Sequence, residues 1–244
     1  MEQLVLPNIE DPYRRERAQD ELPQAASGRT IMTAEPKFVP EQAVEIRPDG
    51  KTSLSVRLID TVGYLVPGAS GTEEDGAPRM VTTPWFPEEL PLAEAAERGT
   101  KKVMDDHSTI GILITTDGTV TDLPREAYVD AERRAIGDMQ ATGKPFLVLV
   151  NSAEPQSEAA QALCRMLRET YQVSCLAVNC LTMESAEIQR ILNGLLCEFP
   201  MQELQFYLPG WLRALDCGHP CKAELFAAMR ACAEKIGRLR EAEP

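Results

Sequence analysis

The run TIGILIT, Thr109–Thr115, is apolar and mostly β-branched from end to end, with no charge in it. A strand with one face in water alternates apolar and polar residues. A strand covered on both faces does not, and that is the habit of parallel sheets. PFLVLVN, Pro145–Asn151, reads the same way, and Ser174–Asn179 supplies a third strand. Between and around these runs the apolar residues recur at helical spacing. Pro91–Asp106 carries Leu92, Ala95, Ala96 and Val103 on one side. Pro124–Thr142 has proline in its first turn, where the missing N–H costs nothing. Glu154–Tyr171 and Met183–Cys197 complete the alternation. Strands alternating with helices predict an α/β fold, a parallel sheet flanked by helices on both faces.

Outward from that core the pattern weakens. Val44–Ile46 and Leu54–Ile59 are strand candidates around the turn RPDGK, with Leu54, Val56 and Leu58 alternating. Residues 1–28 read as the tail of a helix leading into a loop, and residues 29–41 as a loop with a short extended piece. Residues 65–90, rich in Gly, Pro and acids, read as one long loop, and loops of that length are usually functional or mobile. Past Phe199, MQELQFYLPGW alternates like a strand with one exposed face, and Cys221–Arg240 reads as a last helix. A boundary near Pro200 divides residues 1–199 from residues 200–244, the beginning of a second domain.

Bulk properties exclude several functions. A chain of 244 residues with 43% hydrophobic and 26% charged residues can bury a real core. Its net charge of −13 argues against non-specific binding to nucleic acid or anionic membrane. No apolar run is long enough for a membrane span, and the start MEQLVLPNIEDPYRRER lacks the plan of a signal peptide. Seven cysteines, all in the second half, read as reduced thiols in a cytoplasm.

The chemistry centres on SVRLIDTVGYLVPG, Ser55–Gly68. Asp60 ends a candidate core strand and Gly63 follows three residues later, a D-x-x-G. At the carboxyl end of a strand such an aspartate can hold Mg²⁺, and the glycine N–H can approach a terminal phosphate without a Cβ in the way. The plainer alternative is a strand-ending turn in which Asp60 caps local N–H groups. Upstream, RTIMTAE, Arg29–Glu35, offers Thr30 and Thr33 as switch-loop ligands for Mg²⁺, or is an ordinary surface loop. Asn151 in NSAEP stands where a base-reading asparagine lies in GTPases, but Ser152 replaces Lys and Glu154 replaces Asp. Asn151 can equally belong to a strand-end turn.

A phosphate loop, G-x-x-x-x-G-K-[ST], does not occur in the 244 residues. The nearest approach, GDMQATGKP at Gly137–Pro145, precedes a strand instead of following one and reads as a helix end capped by Gly143. Gly71 and Gly76 have the right spacing, but Ala77 follows where lysine is required. CGHPC, Cys217–Cys221, lacks a second ligand pair for zinc and reads as a Gly-Pro turn.

The runs RAQDELPQAASGRTIMTAEPKFVPEQAV, VRLIDTVGYLVPGASG, PRMVTTPWF, HSTIGILITTDGT and GKPFLVLVNS together resemble the stage IV sporulation protein A family. These are ATPases that build the base layer of the spore coat. The resemblance implies a P-loop fold related to translation-factor GTPases but using ATP and Mg²⁺. It implies hydrolysis of the phosphoanhydride bond that drives self-assembly into polymers around the forespore, in the mother-cell cytoplasm. Asp60 corresponds to the family's Walker B aspartate and Thr33 to one of its paired sensor threonines. Ala34 stands where the second would be. Gly63, Thr30 and Asn151 fall in the nucleotide-contacting stretches.

The family carries a strand, phosphate loop and helix before the segment that matches Met1–Ile9. It also continues past position 244, into regions that meet coat proteins and a small amphipathic membrane peptide. This chain is therefore expected to be about half of such a protein, with two strand edges unpaired and weak binding of ATP by itself. A non-catalytic assembly module, or a gene fragment, is the alternative reading. A small GTPase of unrelated role is a third, against which the poor base motif argues.

Overall fold

The computed structural model describes residues 6, 9, 11–21, 36–46, 53–74, 76–83, 85–216 and 218–242. Its centre is a three-stranded parallel sheet in the order β7-β8-β9: β7 (Gly111–Thr116), β8 (Phe146–Asn151) and β9 (Cys175–Val178). Gly111 pairs with Phe146 and Thr116 with Asn151, so β7 and β8 run in register along their whole length. Central β8 is apolar on both faces, as its sequence requires. Val148 and Val150 pack with Ile136 of α3 (Val129–Ala141) and with Ala160, Cys164 and Leu167 of α4 (Glu158–Tyr171). Leu147 and Leu149 face the other way, onto Ile191 and Leu195 of α5 (Ser185–Cys197). Helices cover both sides of β8, in agreement with the α/β expectation.

Local chemistry sets the helix ends. Ser157 caps α4 by accepting the Ala160 N–H. α5 opens on a reciprocal capping box between Glu184 and Glu187. α3 begins after a 3₁₀ turn at Arg125–Tyr128 and stops at Gly143, whose φ of +66° is the left-handed geometry of a helix terminator. The next residue, Lys144, donates to the carbonyls of Met104, Asp105 and Ser108 at 2.6, 2.7 and 2.7 Å. These carbonyls close the π-turn Val103–His107 that ends α2 (Leu92–Lys102). The lysine of the nearest phosphate-loop approximation is thus spent on a helix end.

The first half is built from hairpins. β1 (Lys37–Ile46) pairs antiparallel with β2 (Leu54–Asp60), and Lys37 sits opposite Asp60. The register slips between Val39 and Val44, where Pro40 has no N–H for the ladder. β1 is longer than the expected Val44–Ile46 and takes in the end of residues 29–41, where a loop with a short extended piece was expected. The turn RPDGK falls at residues outside the described set. α1 (Pro12–Glu21) is a ten-residue helix, not the tail of one, and Ala18 packs with Leu6, Ile9, Val44 and Leu58 against the hairpin.

Residues 65–90 are not one long loop. They contain β3 (Glu73–Glu74) with β4 (Ala77–Pro78), and β5 (Met80–Thr83) with β6 (Phe86–Pro91). β3 and β4 are two residues each, too short to show a period, and β6 (FPEELP) holds two prolines and two acids, which read as loop.

After α5 the expected strand at Met201–Trp211 is absent: residues 201–209 are irregular, and α6 (Gly210–Ala214) follows. Alternation alone does not make a strand, and none of the described sheets takes these residues in. The last helix, α7, spans Pro220–Ala233, shorter than Cys221–Arg240. The chain turns at Glu234 and Lys235 and closes with a 3₁₀ turn at Leu239–Glu241. The Glu198 side chain is fully buried and binds Arg238 at 2.6 Å, Arg240 at 3.0 Å and Ser174. This tie fastens residues 238–240 to the parallel sheet through the residue before β9.

Among the described residues, β2 pairs only with β1 and β7 only with β8, so each has an unpaired edge. Ile112 and Ile114 of β7 are 40% and 58% exposed, on the face that α5 covers for β8. Among the described residues, no helix is long and apolar enough to cross a membrane.

Candidate functional site

Asp60 is the last residue of β2, and the chain leaves the hairpin through Thr61 and Val62 to Gly63. The Asp60 carboxyl is exposed on one side, yet desolvation by the surrounding chain raises its pKa against the opposing charge of Lys37 and a bond from the Thr61 N–H. A carboxylate whose charged form is disfavoured in this way gains from a nearby cation. Gly63 has a φ of +81°, and beyond its chain neighbours no atom of the described residues lies within 4 Å of where a Cβ would be. Glycine suits that backbone angle, which side-chain-bearing residues rarely adopt.

The stretch after the D-x-x-G is pinned residue by residue. The Gly63 N–H donates to Thr100 Oγ1 of α2 at 3.0 Å. The Tyr64 hydroxyl donates to Asp138 Oδ2 of α3 at 2.5 Å, and Lys101 holds the other Asp138 oxygen at 3.0 Å. The bond from Tyr64 keeps the Asp138 carboxyl below its ordinary pKa, with Lys101 adding to it, and burial together with the same bond pushes the Tyr64 hydroxyl up. Arg134 lies over the Tyr64 ring, 5.6 Å from its centre, and bridges to Glu97 at 2.5 Å. Leu65 packs with Leu92 and Ala95.

The loops at the carboxyl ends of the parallel strands form a second linked group. Asp117 Oδ1 accepts from the Thr119 N–H at 3.0 Å and from its hydroxyl at 2.6 Å. Burial raises the Asp117 pKa, but the bonds from Ser152 and Thr119 outweigh it and hold the carboxyl below its usual range. Thr119 Oγ1 accepts the Ala153 N–H at 2.9 Å, Asn179 donates to the Ala153 carbonyl at 3.1 Å, and Asn151 Oδ1 accepts the Cys180 N–H at 3.0 Å. Gly118 has a φ of +90°, and a Cβ there would stand 2.9 Å from the Arg125 nitrogen.

Asp60 and Gly63 thus share one loop, while Asn151 sits at the end of β8 and braces the loop after β9. Thr30, Thr33 and Ala34 lie outside the described residues, as does Cys217 of CGHPC. The residues that sequence reasoning passed over are Thr100, Tyr64 and Asp138. Thr100 left one signal: it follows Leu92 and Ala96 at helical spacing, a hydroxyl on the buried face of an amphipathic helix.

A parallel sheet with helices on both faces, and polar loops gathered at the carboxyl ends of its strands, defines a mixed α/β domain. The chain belongs to the stage IV sporulation protein A family: the family profile "Stage IV sporulation protein A, ATPase domain" matches residues 1–200. Proteins of that name from Bacillus anthracis and Clostridioides difficile are each 44% identical over 243 residues, and the match covers 100% of this chain with 49% and 50% of theirs. The Bacillus subtilis relative is 43% identical over 243 residues, again 100% of this chain and 49% of its own. The chain spans about half the length of these relatives. No solved structure matches it.

Proposed function

We propose that this chain is the ATP-handling part of a sporulation assembly protein, with a fold related to translation-factor GTPases. The observation that carries the reading is the ATPase-domain profile matched over residues 1–200. Asp60 supports it as the carboxylate on the metal side, because a desolvated, cation-seeking carboxyl at a strand end suits Mg²⁺, which binds through one or two carboxylates and keeps several waters. Thr33 is the second candidate ligand and Thr30 its neighbour in the same loop. Asp60 and Thr33 would hold Mg²⁺, which would supply charge neutralisation for the phosphates. Gly63 then offers its N–H to the terminal phosphate, and Asn151 stands at the base end. Hydrolysis serves assembly of copies of the protein at the forespore surface.

The test is a chimera of the Bacillus subtilis relative in which the matching 243 residues are replaced by those of this chain. The purified chimera should hydrolyse ATP, and Asp60→Asn should lower the rate by at least about tenfold, a loss of ~1.4 kcal/mol of transition-state stabilisation. An inactive parent chimera that folds would sink the reading.

A second reading, a non-catalytic assembly module, is favoured by one observation: Ala34 stands where the family resemblance places a sensor threonine hydroxyl. That inactive but folded chimera is the outcome it expects.

A further inference from the structure

We propose that Thr100 is the positioning residue of the D-x-x-G loop, its hydroxyl holding the Gly63 amide in a resting orientation. The phosphate side of this inference rests on the functional reading above, in which the same amide meets a terminal phosphate.

Gly63 turns its N–H onto α2 through a backbone angle that side-chain-bearing residues rarely adopt, and the acceptor there is the buried Thr100 hydroxyl, 3.0 Å away. The next two residues are fixed to the same pair of helices. Tyr64 reaches Asp138 on α3, with Lys101 of α2 on that carboxylate too, and Leu65 packs on Leu92 and Ala95 of α2. Three consecutive residues after the D-x-x thus report to the α2–α3 seam, which Arg134 and Glu97 close with a 2.5 Å ion pair.

Thr100 is a neutral acceptor. An anionic phosphate oxygen forms a hydrogen bond roughly twice as strong as a neutral one, so it can take the amide from a hydroxyl. A carboxylate in place of Thr100 would compete with the ligand, and an apolar residue would leave the half-buried amide without this acceptor. A threonine holds the amide while the site is free and yields it to an anion. Giving up the bond lets Gly63 swing away from α2, and Tyr64 carries that movement to Asp138 on α3.

The experiment is amide hydrogen exchange on the complete 244-residue chain, without nucleotide, for Thr100→Val and Thr100→Ser. Thr100→Val should speed exchange of the Gly63 and Tyr64 amides by roughly fivefold, the worth of one hydrogen bond. Exchange across Phe146–Asn151 should stay at the parent rate, reporting an intact sheet. Thr100→Ser keeps the hydroxyl and should restore parental exchange. Unchanged exchange at Gly63 in Thr100→Val overturns the proposal. So does loosening in Thr100→Ser as large as in Thr100→Val, since the methyl packing would then be what matters. The readout contains no ATP, so it stands or falls separately from the chimera's hydrolysis.

Discussion

At the scale of single residues, Asp60 and Asp138 show how two carboxyls of one neighbourhood are pushed in opposite directions. Asp60 is raised by desolvation, and Asp138 is lowered by the Tyr64 hydroxyl and Lys101. The sign for Asp138 follows from linkage. A carboxyl with a depressed pKa in the folded state contributes stability above its unfolded value of about 3.9, and that stability is lost as pH falls through the folded value. Its partner Tyr64, raised in the folded state, contributes below about pH 10 and loses that contribution as pH rises. The stability difference between the parent chain and Asp138→Asn should therefore be flat from about pH 5 to 9 and shrink on acidification below about pH 4. Urea unfolding across that range measures it, and a difference that persists at pH 3 contradicts it. D-x-x-G is legible in sequence because Asp60 and Gly63 stand three apart. Thr100 was not, because its bond to Gly63 joins residues 37 positions apart.

At the scale of elements, the parallel strands and α2 to α5 were legible because their signals are local. Apolar runs of six residues, proline and glycine at the ends, and helical spacing each act within a few turns. The failures have an equally plain cause. β3 and β4 are too short to show a period, the prolines and acids of β6 read as loop, and the alternation at Met201–Trp211 described a strand that does not form. Lys144 illustrates a structural lysine inside a sequence that imitates a functional one. Replacing it in Lys144→Met removes a charged donor from three carbonyls at the end of α2 and should cost about 2 kcal/mol. Thermal unfolding would register that as a lowered midpoint. A variant as stable as the parent would mean that water caps those carbonyls equally well. Because α2 also carries Thr100, loosening its end should raise exchange at Gly63 as well.

At the scale of the whole molecule, the edges of β2 and β7 that have no partner strand among the described residues are the main physical liability. β7 presents Ile112 and Ile114 on an open face beside such an edge, the arrangement that templates association between chains. Ile114→Thr keeps β-branching but lowers the apolar exposure. It should slow aggregation of the isolated chain, read by light scattering, while leaving the unfolding midpoint nearly unchanged, since a side chain 58% exposed contributes little burial. Aggregation at the parental rate would place the sticky surface elsewhere. By itself the sequence determined the parallel α/β core, the D-x-x-G and the family, because periodicity, short motifs and long matching runs are properties of neighbours along the chain. Only the tertiary structure decided that the Gly63 amide rests on Thr100, that Tyr64 binds Asp138 and that Glu198 gathers Arg238 and Arg240. A hydrogen bond or buried ion pair chooses its partner by proximity in space, and no local pattern encodes which distant helix will be there.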